Sequence, residues 1–165
     1  MRTRRGLFSA LPLFFALLAA ADAAAVGLRS VDGADTTLAD QVPAGRWTLV
    51  FIWTTYCGTC RHEYPMLSAF HDAHAGRDAA VVGIALDGYA ELDTVRRYLA
   101  RKPFTFDSVV GEPAAVGKAF EAATGEPFTG TPSYLLFNPE RQLVAATSGA
   151  LTREALEKYI AKGTP

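Results

Sequence analysis

Seven residues in a row, Trp47-Thr-Leu-Val-Phe-Ile-Trp53, are apolar or β-branched, and Cys57 and Cys60 follow shortly after them. The run reads as a strand buried on both faces. From residue 59 to 74 the apolar positions Tyr64, Leu67, Phe70 and Ala73 recur at helical spacing, and Gly76 punctuates the end of that segment. A strand therefore feeds a helix through Cys57-Gly-Thr-Cys60, with the first sulfur at the helix N-terminus and the second one turn in. The chain has 2 cysteines in all, which excludes a disulfide-stapled scaffold and a four-thiolate zinc site.

That placement has a chemical use. Unpaired backbone N–H groups and the helix dipole stabilise a thiolate at a helix N-terminus, drawing the Cys57 thiol below its ordinary pKa. A second thiol one turn on is within reach of the first and resolves a mixed disulfide by attacking its sulfur. The cycle needs no cofactor and no metal. Two other uses compete with it. One is a structural disulfide, although a bridge closing so short a loop constrains the unfolded chain little. The other is a soft ion such as Cu(I), held by Cys57, Cys60 and His62.

The remaining pattern alternates strand and helix. Leu28-Arg-Ser-Val-Asp32-Gly33 reads as a short strand running into an Asp-Gly turn, and Ala79 to Leu86 as a second buried strand. Residues 90–101 are helical, with Leu92, Val95 and Leu99 on one face and Arg96, Arg97 and Arg101 in water. Phe104-Thr-Phe106 reads as a short extended piece. Pro113 opens a helix through Val116 and Phe120, and residues 125–132 form a loop. Ser133 to Phe137 and Leu143 to Thr147 flank a turn, and Thr152 caps a last helix. Strand–helix alternation predicts a parallel half of the sheet, and the closing β-turn-β an antiparallel half. His71 and His74, three apart and without a third ligand, read as a wet surface, as does His62. The Arg96, Arg97, Arg101 and Lys102 cluster reads as a solvated helix face.

The N-terminus reads as an address. Arg2, Arg4 and Arg5 precede an apolar run from Leu7 to Ala21, and Ala21-Asp22-Ala23 fits the small-x-small cleavage rule. Residues 1–23 are expected to be a cleaved signal peptide, with residues 24–165 as the single mature domain. An uncleaved membrane anchor is the alternative, for which the run is short. Cleavage removes three arginines and one aspartate, taking the net charge of -1 further negative. No basic surface for nucleic acid is expected. Export places the cysteine pair in a compartment where free thiols do not stay reduced by default.

These motifs resemble the thioredoxin superfamily, and most closely its exported TlpA/ResA-like thiol-disulfide reductases. The resemblance rests on Phe51-Ile-Trp53-Thr-Thr-Tyr-Cys57-Gly-Thr-Cys60-Arg-His-Glu63-Tyr-Pro65, on Val81-Val-Gly-Ile-Ala-Leu-Asp87, and on Gly130-Thr-Pro132-Ser-Tyr-Leu-Leu-Phe137. It implies a three-layer α/β/α fold with a mixed central sheet, an N-terminal β-hairpin extension and a central insertion. It also implies a cis Thr131–Pro132 bond beside the cysteines, leaving the Thr131 backbone free to pair with an extended substrate. Glu63 matches an acidic residue that assists proton removal from Cys60, although the spacing also allows an exposed helical glutamate. Pro65 matches the family's helix proline and is expected to kink the helix. Trp53 and Tyr56 are expected to pack beside the disulfide as an apolar landing surface. Cytoplasmic thioredoxins carry a buried aspartate six residues before the first cysteine. Here that residue is Phe51, which leaves Glu63 as the candidate proton acceptor.

The expected function is thus an exported thiol-disulfide oxidoreductase that reduces protein disulfides in the periplasm or another extracytoplasmic space. The resemblance implies a membrane electron donor of the DsbD/CcdA type. It implies substrates such as apocytochrome c or copper-assembly proteins. The protein is expected to be a monomer. The rivals are an oxidase or isomerase running the same chemistry backwards, and a Cu(I)-binding thiol chaperone.

Overall fold

The computed structural model describes residues 26–163, so the expected signal peptide lies outside the described residues. The elements run β1 (Gly27–Ser30), β2 (Asp35–Thr37), α1 (Leu38–Gln41), β3 (Trp47–Trp53), α2 (Gly58–His74), β4 (Ala79–Ala85), a 3-10 turn (Tyr89–Glu91), α3 (Leu92–Leu99), β5 (Ser108–Val110), α4 (Pro113–Thr124), β6 (Ser133–Phe137), β7 (Leu143–Ser148) and α5 (Arg153–Gly163). All strands share one seven-stranded sheet in the order β2-β1-β5-β4-β3-β6-β7. The strands β3, β4 and β5 are parallel, and every other pairing is antiparallel. The mixed sheet, the N-terminal hairpin β1–β2 and an insertion carrying β5 all agree with the thioredoxin-like expectation.

Because both faces of β3 and β4 are covered, their side chains divide between two cores. Leu49, Phe51 and Trp53 join Leu67 and Phe70 of α2, Val95 of α3 and Leu156 of α5 on one face. Val50 and Ile52 join Leu38 of α1 and Val116 and Phe120 of α4 on the other. This is the three-layer arrangement. Among the described residues, no helix is long and apolar enough to cross a membrane.

Three local readings need correction. Phe104 and Phe106 are not a strand: they lie in a run of bends and stack on each other at 4.2 Å between ring centroids. The strand begins at Ser108 instead. The residues between Gly33 and Trp47, to which the sequence assigned no element, contain α1, whose N-terminus Thr37 and Asp40 cap with a reciprocal capping box. Finally, the two histidines of α2 are not a wet surface. His71 Nδ1 accepts the Val81 N–H at 3.1 Å, and His74 Nδ1 lies 2.8 Å from Asp78 while its ring stacks on Phe70.

The His71 bond has a topological cause. The β4 amide of Gly83 donates to Asp107 on the β5 side. Val81, two residues earlier, points the same way. β5 is too short to reach it, since its pairing with β4 starts at Gly83. A side chain from α2 supplies the missing acceptor.

Candidate active site

The parallel neighbours β3 and β4 end on the same edge of the sheet, and the redox pair sits there. Cys57 is the N-cap of α2, and its Sγ accepts the Cys60 N–H at 3.1 Å. The two cysteines form a disulfide with 5.3 Å between Cα atoms. Cys57 is 8% exposed and Cys60 is wholly enclosed. Attack from solvent therefore reaches the first sulfur only.

The loop carrying Cys57 is clamped from both sides. Asp87, just beyond β4, accepts both the Thr55 N–H and the Thr55 hydroxyl. Arg61 donates from α2 to the Thr55 carbonyl at 3.3 Å. Sequence reading assigned neither residue this role. The signal was present in the parallel β3–β4 pairing, which brings the residues after both strands together.

Thr131–Pro132 is a cis peptide bond, as the resemblance implied. The register sets Ser133 opposite Ile52, which places Pro132 at the cysteine end of β3. Tyr56 is 75% exposed beside Cys57. Trp53 corrects the expectation of a landing surface, because it has no exposed area at all. Its ring meets Tyr64 and Phe104 edge-on, and its Nε1–H donates to Ser108 Oγ at 3.0 Å. It is the aromatic floor under the site.

Glu63 is 8% exposed and is not a solvated helical glutamate. Its Oε2 accepts the Tyr134 hydroxyl and the Leu151 N–H, each at 3.2 Å. Burial first, and then the Glu63 charge, push the ionisation of Tyr134 well above the ordinary tyrosine value. Phe51 stacks on Tyr134 at 5.5 Å. The buried acid of this site thus comes from α2, while β3 contributes an aromatic ring. Pro65 lies inside α2 and assists none of these contacts. His62 is exposed, as expected. Among the described residues no three His, Cys, Asp or Glu side chains gather in a metal-holding group.

The AhpC/TSA family model matches residues 19–146. The chain belongs to the AhpC/TSA family. Among curated relatives of this AhpC/TSA chain, it is 22% identical over 133 residues to the sporulation thiol-disulfide oxidoreductase A of Bacillus subtilis, covering 80% of this chain and 75% of that protein. It is 24% identical over 121 residues to the thiol-disulfide oxidoreductase ResA of Bacillus thuringiensis, covering 73% of this chain and 65% of that one. Among solved structures, Mycobacterium tuberculosis DsbF superposes with a TM-score of 0.67 at 19% identity, over 87% of this chain and 98% of that one. The fold is therefore thioredoxin-like, and this member of the AhpC/TSA family is an enzyme of the thiol-disulfide oxidoreductase class.

Proposed function

We propose that this chain is an exported reductase of protein disulfides. The observation that carries the reading is the asymmetry of the cysteine pair: one sulfur at a helix N-cap and partly open, the other buried one turn behind it. As a thiolate, Cys57 attacks a substrate disulfide and forms a mixed disulfide. Cys60 then passes its proton to Glu63 and attacks the Cys57 sulfur. Reduced substrate leaves, and the Cys57–Cys60 disulfide remains. An extended substrate pairs with the Thr131 backbone ahead of Pro132, and Tyr56 offers it an apolar contact. Two electrons are exchanged between sulfurs alone, so no cofactor or metal takes part.

The direction of electron flow is supported by Gly58-Thr59. Strongly oxidising members of the superfamily carry a histidine between the cysteines, which stabilises the reduced thiolate. This pair has none. Export is supported by the arginine-led apolar segment ahead of the domain. In that setting the oxidised protein is re-reduced by a membrane thiol donor of the DsbD/CcdA type. Its substrates are cysteine pairs awaiting a cofactor, as in apocytochrome c or a copper-assembly protein. The chain acts as a monomer.

The deciding measurement is the reduction potential. A value near that of thioredoxin, about -270 mV, is expected, and a value near that of DsbA, about -120 mV, overturns the reductase reading. Trapping with Cys60→Ser in the exported compartment then identifies the substrate.

A further inference from the structure

We propose that Tyr134 is a positioning residue for the proton transfer that frees Cys60, acting through the Glu63 carboxylate. The inference rests on the role given to Glu63 above and adds a residue to it.

The geometry is specific at the level of single oxygens. Both donors to Glu63, the Tyr134 hydroxyl and the Leu151 amide, converge on Oε2 at 3.2 Å. No described residue donates to Oε1. One oxygen is pinned and the other is left open. Cys60 precedes Glu63 by three residues on α2, a spacing that makes side chains neighbours on one helix face, and both are buried. The pinning holds the carboxylate in one rotamer, with its open oxygen as the base.

The two clamps come from distant parts of the chain. Tyr134 sits on β6, two residues beyond Pro132, with its ring held by stacking on Phe51. Leu151 lies between β7 and α5. The groups that donate to the carboxylate are the Tyr134 hydroxyl and the Leu151 amide, and Cys60 sits one turn back on the same helix. The buried α5 side chains of this core, Leu156 and Ile160, are apolar. Burial and the carboxylate both oppose ionisation of Tyr134, so its hydroxyl stays a donor.

In the mixed disulfide the Cys60 proton moves to Glu63 Oε1. The freed sulfur lone pair forms a bond to Cys57 Sγ, and the bond from Cys57 to the substrate sulfur breaks. That sulfur leaves with the electron pair as a thiolate, and Glu63 later releases its proton to water. A hydroxyl donated to Oε2 stabilises the charge on the carboxylate that receives the proton.

The test uses the full reduced protein and a symmetrical nitroaryl disulfide, which releases one coloured thiolate at Cys57 attack and a second at Cys60 attack. The second release is followed against pH for wild type, E63Q, Y134F and the double variant. E63Q is expected to slow it by roughly 10²-fold, the usual weight of a positioned base. Y134F keeps the ring on Phe51 and is expected to move the midpoint of the pH profile upward, because the carboxylate loses one hydrogen bond. In the E63Q background, Y134F is expected to change nothing further. A merely structural role for Tyr134 lowers stability and leaves the midpoint alone. If E63Q is slow and Y134F keeps the wild-type midpoint, the Tyr134 inference is overturned and the Glu63 role stands. If E63Q releases the second thiolate at the wild-type rate, both are overturned.

Discussion

Cys57 Sγ accepts the backbone N–H of Cys60 at 3.1 Å while capping the helix that carries both residues. The same amide that caps the helix is available to a thiolate at Cys57. A charge-assisted hydrogen bond of this kind is about twice as strong as a neutral one. The second sulfur has no exposure and, among the described residues, no comparable donor.

Alkylation of the reduced protein is therefore expected to strike Cys57 first. A thiolate stabilised at a helix N-terminus is more populated at neutral pH than that of an ordinary thiol, and the expected rate advantage is about tenfold or more. Peptide mapping by mass spectrometry after brief alkylation measures it. Cys60→Ser is expected to accumulate mixed disulfides and Cys57→Ser to form none; trapping by Cys57→Ser reverses the two roles.

Gly83 is where the sheet passes beneath the aromatic floor. A Cβ there would lie 2.5 Å from Ser108 Oγ and 2.8 Å from Trp53 Nε1. Gly83→Ala must push these partners apart, so it overpacks the core and breaks their hydrogen bond. The expected loss is about 1–3 kcal/mol from overpacking, with a similar amount again where the indole N–H is left unpaired. Ser108→Ala is expected to show the second part alone, about 1–3 kcal/mol. Denaturant midpoints of the two variants check both; a wild-type midpoint for Gly83→Ala contradicts the close packing.

The redox pair was legible in the sequence because its determinants are local: a doubly apolar strand, a helical repeat and two thiols three apart. The burial of Glu63 was not. It depends on a hydroxyl 71 residues away and an amide 88 residues away, which no spacing on α2 reveals. Trp53 shows the opposite difficulty. Its position at the end of a buried strand already favoured enclosure, but kinship suggested a surface. Its partner, Ser108, lies 55 residues on. Phe104 and Phe106 imitate strand alternation because both enter one core. The amide between them, however, donates to Ser68 Oγ and not to a neighbouring strand.

His71 makes the fold sensitive to mild acid. Its pKa is lowered chiefly by desolvation, and its Nδ1 must be unprotonated to accept the Val81 N–H. The unfolded chain binds a proton near the ordinary value of 6.5, the folded chain only at lower pH. Stability from this group is thus fully present above that ordinary value. It is lost as pH falls through the window down to the folded value. His71→Gln keeps an acceptor without a titrating ring. The gap between wild type and this variant is expected to shift against the wild type across that window, as read from denaturant midpoints at a series of pH values. Parallel curves refute the assignment.

Tyr56 is the clearest candidate for a contact with substrate, being 75% exposed next to a cysteine that is only 8% exposed. An exposed tyrosine contributes little to the fold, so Tyr56→Ala is expected to shift stability by no more than about 0.5 kcal/mol. Its ring is instead a preformed apolar surface at the edge of the reactive sulfur, the kind of aromatic anchor that dominates protein interfaces. Removing it is expected to lower kcat/KM toward a protein disulfide by about tenfold, corresponding to an anchor worth more than 1 kcal/mol. A small nitroaryl disulfide reaches Cys57 without the ring and is expected to react at the wild-type rate. An equal loss on both substrates places the effect of Tyr56 on the thiolate itself, and no loss on either removes it from the binding surface.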